Sequence, residues 1–122
     1  MYRIFIFAVF AIMACMFQPN SAFAKSAEDL DIVCNSVETD EGHEFKSALC
    51  LGYIHGVIDH ERLRSNDVAA NGIFCIRDEV SFAELRGIVR RYIATRPDRG
   101  SELASILVSE ALEAAFPCRK AG

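Results

Sequence analysis

The sequence predicts an all-α fold, a small disulfide-linked helical bundle with a buried central helix. Apolar residues recur at helical spacing, no segment alternates with the period of two typical of a half-buried strand, and four cysteines remain once a leader is removed. The length of 122 residues allows one domain. The net charge of −4, with no cluster of Lys and Arg, argues against nucleic acid or an anionic membrane surface as the main partner.

The N-terminus predicts a signal peptide over residues 1–24. A positive charge precedes an uncharged run of 14 residues, and Ala22-Phe23-Ala24 then fits the small-x-small rule of signal peptidase. The run is shorter than the roughly 20 apolar residues of a membrane span. Two alternatives stay open, an uncleaved anchor and a lipidated Cys15. Cleavage would release residues 25–122 as a single exported domain without membrane contact.

The mature chain begins with a short polar segment and a long apolar helix. Residues 25–40 have few apolar side chains and predict a short helix or an arm laid on the core. Residues 41–63 predict a helix that is apolar on almost every side, which is typical of a buried central helix. Ala48, Gly52 and Gly56 lie four residues apart on one stripe of it. We expect another helix of the same core to pack there; a groove for a partner helix is the alternative.

Two further helices follow a long connection over residues 64–80. Ser81-Phe82-Ala83-Glu84 predicts a capping box, and the helix that it starts should end before Pro97. After a short turn, Ser101 is expected to cap a third amphipathic helix, which ends at Phe116-Pro117-Cys118.

The four cysteines of the mature chain predict two disulfide bonds in an oxidising compartment. The last two helices are joined by a short turn and should run antiparallel. This brings Cys75, just before the first of them, close to Cys118, just after the second, and leaves Cys34 to pair with Cys50. By loop length alone, the Cys75–Cys118 bond should contribute more to stability.

Few residues could carry catalysis or bind a metal. His55 and Asp59 lie four apart on one helix face, as metal ligands can, but two ligands leave a site open and unspecific; the alternative places His55 in the core. Pairing of all four cysteines argues against a cysteine nucleophile. The arginines of the helix after residue 81 could hold an anion or form a solvated face: Arg86, Arg90, Arg91 and Arg96. The residues alone indicate an exported binding domain with no catalytic residue, cofactor or metal.

Four pieces of the sequence, taken in order, resemble the Rap/Tai family of immunity proteins. They are Cys50 to Asp59, Phe74-Cys75, Val89 to Pro97, and Ala111-Leu112 with Phe116-Pro117-Cys118. The family pattern reads roughly cysteine-x-Gly-Tyr-aliphatic-x-Gly, Phe-Cys-x-Pro, Tyr-aliphatic-x-x-x-Pro and Ala-Leu…Phe-Pro-Cys. The resemblance covers about residues 34 to 118. In one departure, Arg77 stands where a proline often follows Phe-Cys-x, which concerns the shape of a connection.

The resemblance implies a periplasmic helical protein without catalysis that protects a bacterium from a peptidoglycan amidase delivered by type VI secretion. Such proteins bind the amidase effector and block its active-site groove, often as homodimers. The alternative is a small periplasmic helical chaperone or another non-catalytic binding protein. We expect the partner surface in the connection over residues 60–72 or at a neighbouring helix end. In the connection, Asn66, Asp67 and Asn71 offer polar groups to a cleft.

Overall fold

The computed structural model describes residues 25–65 and 72–118, and within these ranges the chain forms four α-helices. α1 spans Ala27–Cys34, α2 His43–Arg64, α3 Phe82–Ala94 and α4 Ala104–Ala115, with a short 3-10 helix over Pro97–Arg99. The described ranges contain no strand, only isolated bridges, and no helix in them is long and apolar enough to cross a bilayer. The all-α class is confirmed. The predicted signal peptide, residues 1–24, lies outside the described residues.

The start of α1 is held by its own cap and by the turn that precedes α4. Ser26 and Asp29 form a capping box, in which the Asp29 N–H donates to Ser26 Oγ at 3.1 Å and the Ser26 N–H donates back to Asp29 Oδ2 at 3.3 Å. The N–H groups of Ala27 and Glu28 donate at 2.9 Å to carbonyls of that turn. The free donors of the first helical turn are thereby satisfied, and the predicted helix or arm is a docked helix.

The end of α1 is fastened to α3 by one side chain. Arg86 Nε donates to the carbonyl of Cys34 at 2.6 Å, and Arg86 Nη2 donates to the carbonyl of Ser36 at 2.7 Å. The last carbonyls of a helix have no partner within the helix. The guanidinium supplies that partner from a neighbouring helix, so Arg86 has a structural role.

The helices α3 and α4 begin differently from one another. Ser81 caps α3, since its Oγ accepts the N–H of Glu84 at 3.3 Å. The return bond from the Glu84 side chain is not formed, so the predicted capping box is only half present. α4 begins at Ala104 rather than directly after Ser101. The Ala104 N–H donates to the carbonyl of Lys25 at 2.9 Å, so the chain ahead of α1 caps α4 in place of a serine.

α4 contributes more buried residues than any other described helix, and it contacts α1, α2 and α3. Its buried residues are Ala104, Leu107, Val108, Ala111 and Leu112. α2 buries only Cys50, Ile54, Ile58 and Glu61 in 22 residues. Of the predicted buried central helix, α2 therefore buries one line of side chains and leaves its opposite face exposed. The large apolar side chains of α2 are spread over several faces, so that Phe45, Leu49, Leu51 and Leu63 stay exposed, whereas α4 concentrates Leu and Val on its inner face.

Two disulfide bonds close the bundle. Cys34–Cys50 joins the end of α1 to α2 with a Cα–Cα distance of 5.1 Å. Cys75–Cys118 joins the segment before α3 to the segment that follows α4, with a Cα–Cα distance of 4.9 Å. This is the pairing that the sequence predicts. The Cys75 N–H also donates to the carbonyl of Phe116 at 2.8 Å, so the second bond continues a backbone contact.

The turn between α3 and α4 is held by a polar network. Arg99 donates to Glu102 at 2.8 Å and to Glu110 at 2.6 Å, and the Tyr92 hydroxyl donates to Glu110 at 3.0 Å. The Arg96 guanidinium lies 3.5 Å from the centroid of the Tyr92 ring. The hydrogen bond from Arg99, which outweighs the effect of burial, lowers the pKa of Glu110. Side chains far apart in sequence thus fix how α3 and α4 pack.

Candidate partner-binding surfaces

The residues predicted to meet a partner, Asn66, Asp67 and Asn71, lie outside the described residues, in the stretch 66–71. Their role stays a prediction. The structure does describe the two ends of this connection, where α2 finishes at Arg64 and the chain continues from Gly72. These ends and the surfaces around them are the first candidate site.

Glu61 ties the two ends of the connection together. Its side chain is only 8% exposed and accepts hydrogen bonds from Arg64 at 2.9 and 3.0 Å and from the Ile73 N–H at 2.8 Å. The bond from Arg64 is the main reason that the pKa of Glu61 lies below its usual value. Sequence reasoning missed this residue. Its position in the sequence could have indicated burial, because Glu61 lies three residues after Ile58 and therefore on the same face of α2 as the buried residues of that helix.

A cleft of about 570 Å³ lies beside these two ends of the connection, between the end of α2 and the segment 72–78. Gly72 belongs to its wall, and a Cβ there would stand 3.1 Å from the Phe74 carbonyl oxygen, so a larger residue would crowd the backbone. Apolar and charged side chains share the lining, among them Ile58, Arg62, Ser65, Ile76, Arg77 and Asp78.

The outer face of α2 carries an exposed stripe along its length. Phe45 and Leu63, near its two ends, are 69% and 79% exposed, and Leu49 is also exposed. Between them, Gly52 and Gly56 have no atom of the described residues within 4 Å of the place where a Cβ would stand. The prediction that another helix of the same core packs on these small residues is wrong for this chain. The alternative from the sequence, a groove for a partner helix, is what this geometry allows.

His55 and Asp59 are both exposed on α2, so the expectation that His55 packs in the core is wrong. The described part of the chain holds no group of three or more His, Cys, Asp or Glu residues that could bind a metal ion. His43 is engaged locally, with Nδ1 at 3.1 Å from Ser36 Oγ.

The four arginines of α3 and its C-terminal end separate into two pairs. Arg86 bonds the end of α1, and Arg96 stacks on an aromatic ring, so both have partners within the fold. Arg90 and Arg91 instead line a small cleft between α3 and α1. Sequence reasoning grouped all four together because it had no means of locating the carbonyls that Arg86 bonds.

One comparison with known proteins gives a match. A family model described as Rap1a immunity proteins matches residues 26–118, a range that includes all four described helices and both disulfide bonds. No curated protein and no solved structure matches the chain.

Proposed function

The chain belongs to the family of Rap1a immunity proteins, and on that premise we propose that it binds a peptidoglycan amidase effector in the periplasm and blocks its active-site groove. Family membership implies protection against a secreted effector. The amidase target, its delivery by type VI secretion and the periplasmic location are our proposal. The observation that carries the proposal is the family match, which begins at residue 26, directly after the predicted first residue of the mature chain.

Two features support action in an oxidising, extracytoplasmic compartment. The chain carries two disulfide bonds, which are typical of exported proteins. The predicted signal peptide over residues 1–24 provides the route of export. Protection would then take place where the effector meets peptidoglycan.

We infer that inhibition is by occlusion, with Asn66, Asp67 and Asn71 entering the groove. Polar side chains on a connection can bond groups in a cleft, and loops on rigid helices are where binding residues usually lie. Glu61 supports this proposal because it holds both ends of the connection together. The two ends are thus already held in place before the partner binds, which favours affinity.

We also propose that the outer face of α2 binds a second copy of the chain. Gly52 and Gly56 lie symmetrically about position 54, and so do Phe45 and Leu63. Two copies of α2 packed antiparallel about that position would place Phe45 of one copy against Leu63 of the other. The glycines would stand at the crossing, where they let two backbones approach closely. A self-complementary patch of this kind suits a two-fold homodimer.

The function is tested with candidate amidase effectors from the same genome. Each is exported to the periplasm of a host cell with or without this chain, and growth and peptidoglycan cleavage are measured. We expect one amidase to lyse cells lacking the chain and to be blocked by it, both in cells and as purified proteins at a 1:1 ratio. Protection by a chain without residues 1–24 that stays in the cytoplasm would contradict the periplasmic proposal.

The contact residues are tested by replacing Asn66 and Asp67 together with alanine. We expect weaker binding of the amidase at an unchanged melting temperature. Glu41→Ala, at an exposed position between α1 and α2, is the control and should bind as the parent does. Unchanged affinity of the double variant would place the contact surface elsewhere.

The second-copy proposal is tested by Gly52→Leu. The new side chain enters open space in the single chain, so folding should be kept, but it would hold two α2 helices apart. Sedimentation velocity should show a dimer for the parent and a monomer for the variant, with exposed Ala83→Leu on α3 as the control. A monomeric parent at high concentration would contradict the proposal.

A further inference from the structure

The two disulfide bonds differ in how far solvent reaches them. Cys34 and Cys50 are both 0% exposed and belong to the hydrophobic core, whereas Cys75 and Cys118 are partly exposed. Thiol–disulfide exchange begins when a thiolate attacks one of the two sulfur atoms, so its rate depends on access to that atom. The fold therefore favours exchange at Cys75–Cys118 and opposes it at Cys34–Cys50.

The cleft beside the ends of the connection leads to the exposed bond from one side. Cys75 belongs to the lining of this cleft, and Cys118 does not. The volume of about 570 Å³ lies within the range of about 300–1,000 Å³ usual for small-molecule sites. A small thiol can thus enter beside Cys75, and this points to Cys75 as the attacked residue and to Cys118 as the residue that leaves.

Cys75 is coupled to the proposed binding connection through the segment 72–78. Its N–H donates to the Phe116 carbonyl at 2.8 Å, and two residues earlier the Ile73 N–H donates to Glu61, also at 2.8 Å. Once the disulfide opens, the bond to Phe116 no longer has a covalent cross-link beside it. We expect the segment to part from the end of α4 more often, since local opening follows the number and strength of the contacts that hold a region. This opening would loosen the end of the connection that Ile73 fastens.

We propose that Cys75–Cys118 is an exchange site for a small thiol, that the thiol attacks Cys75, and that opening the bond weakens binding of the amidase effector. The effect on the effector rests on the proposed function. The exchange site itself rests only on the exposure of the two bonds and on the position of the cleft.

The exchange takes place in two steps. The thiolate of the small thiol forms a bond to Cys75 Sγ, the Cys75–Cys118 bond breaks, and Cys118 leaves as a thiolate that takes up a proton. A second thiolate then attacks the sulfur of the bound small thiol and releases Cys75, which is protonated in turn. The small thiol leaves as its own disulfide, so two electrons and two protons reach the protein.

Exchange is measured on the mature chain with both bonds formed, using glutathione as the small thiol. The reaction is quenched at increasing times, free thiols are alkylated, and trypsin separates the four cysteines, because a Lys or Arg lies between each of them and the next. We expect glutathione on Cys75 and an alkyl group on Cys118, with Cys75–Cys118 lost at least about 10-fold faster than Cys34–Cys50. Glutathione mainly on Cys118, or loss of both bonds at one rate, would overturn the proposal.

The same reaction in guanidinium chloride separates access from the intrinsic chemistry of the cysteines. Unfolding removes the difference in burial, so the two bonds should then open at similar rates. A preference for Cys75–Cys118 that keeps its size in the unfolded chain would show that the fold does not cause it, and the proposal would be overturned.

A matched pair of variants tests the cleft as the entrance. Asp78 and Glu79 are both exposed, but only Asp78 lines the cleft. Replacing either with Trp removes one negative charge and adds one bulky ring. We expect Asp78→Trp to slow exchange at Cys75 at least about 5-fold by restricting access, and Glu79→Trp to keep the rate of the parent. Equal rates in the two variants would overturn the cleft as the entrance.

The amidase identified by the protection experiment gives the last comparison. If opening the bond weakens amidase binding, bound amidase must shift the exchange equilibrium towards the closed bond by the same factor. In a mixture of reduced and oxidised glutathione, we expect saturating amidase to lower the ratio of opened to closed Cys75–Cys118 at least about 10-fold. An unchanged ratio would overturn the coupling and leave the proposed function intact. If the chain protects against no amidase, the proposed function and the coupling are both overturned, whereas the glutathione reactions still decide the exchange site.

Discussion

A buried carboxylate needs partners, and at Glu61 those partners lie on both sides of the proposed binding connection. Arg64 reaches it from the last turn of α2, and the Ile73 N–H reaches it from beyond residue 71. Glu61 therefore bonds to both described ends of the connection. It also makes part of the stability depend on pH.

We predict that Glu61→Gln lowers stability by about 1–3 kcal/mol at pH 7, the range for removing a charged hydrogen-bonding partner. The pKa of Glu61 is lowered in the folded state, chiefly by the bond from Arg64. Its contribution is therefore full above the unfolded pKa and is lost as the pH falls through the folded one. The difference between parent and variant should shrink below about pH 4.3, the ordinary pKa of Glu.

Urea unfolding at pH 7, 5 and 3 measures that difference. Arg64→Met and the Glu61→Gln/Arg64→Met double variant complete a double-mutant cycle. At pH 7, the sum of the losses of unfolding free energy in the two single variants should exceed the loss in the double variant. A difference that stays constant from pH 7 to 3 would contradict the role of Glu61.

The exposed glycines of α2 give a second prediction at the residue scale. Gly52→Ala and Gly56→Ala should each stabilise the monomer by roughly 0.5–1 kcal/mol, because Ala has the better helix propensity and each Cβ enters open space. Gly42→Ala is the control. Gly42 has φ +70°, where a Cβ costs roughly 1–2 kcal/mol, so this change should destabilise. Thermal unfolding at low concentration decides, and a loss of stability on Gly52→Ala would show that the site is not open.

At the scale of the helices, the sequence predicted the elements better than their surroundings. α3 has a serine cap, an apolar face and a following proline, and it forms close to the predicted place. α2 also forms, but periodicity alone could not tell that its small residues face solvent. The cap of α4 could not be predicted because it is a carbonyl of Lys25, which only the tertiary fold brings near.

Arg86 joins α3 to the end of α1 through two side-chain hydrogen bonds. We predict that Arg86→Met costs about 2–4 kcal/mol, since two hydrogen bonds from a charged donor are lost and two carbonyls near the end of α1 lose their partner. Arg91→Met, at an exposed position of the same helix, should change stability by less than about 0.5 kcal/mol. Equal effects of the two substitutions in urea unfolding would show that the Arg86 bonds contribute nothing.

At the scale of the whole molecule, the candidate surfaces were harder to predict than the fold. Each combines residues that are distant in sequence. Glu61 meets Ile73 across the connection, and Asp31 faces a cleft shared with Arg90, 59 positions later. Cysteine pairing was predictable because the order of helices and one short turn already restrict which ends can meet.

The two disulfide bonds act on the whole chain, and the structure changes their expected ranking. Loop lengths of 43 and 16 positions give about 4 kcal/mol for Cys75–Cys118 and about 3 kcal/mol for Cys34–Cys50. Cys34 and Cys50 are, however, both 0% exposed, whereas Cys75 and Cys118 are partly exposed. Replacing a buried cysteine with alanine also leaves a void, at a further cost of about 1 kcal/mol for each sulfur.

We therefore predict that Cys34→Ala/Cys50→Ala costs about 5 kcal/mol and Cys75→Ala/Cys118→Ala about 4 kcal/mol, the reverse of the order expected from loop length. Urea unfolding of the two double variants measures both. The void can be separated from the cross-link by comparing each variant with the corresponding pair of reduced, free cysteines, because reduction keeps the sulfur atoms. If the reduced forms rank by loop length and the alanine variants do not, burial causes the reversal. If Cys75→Ala/Cys118→Ala is still the less stable variant, the length of the closed loop outweighs the packing of the two buried sulfurs.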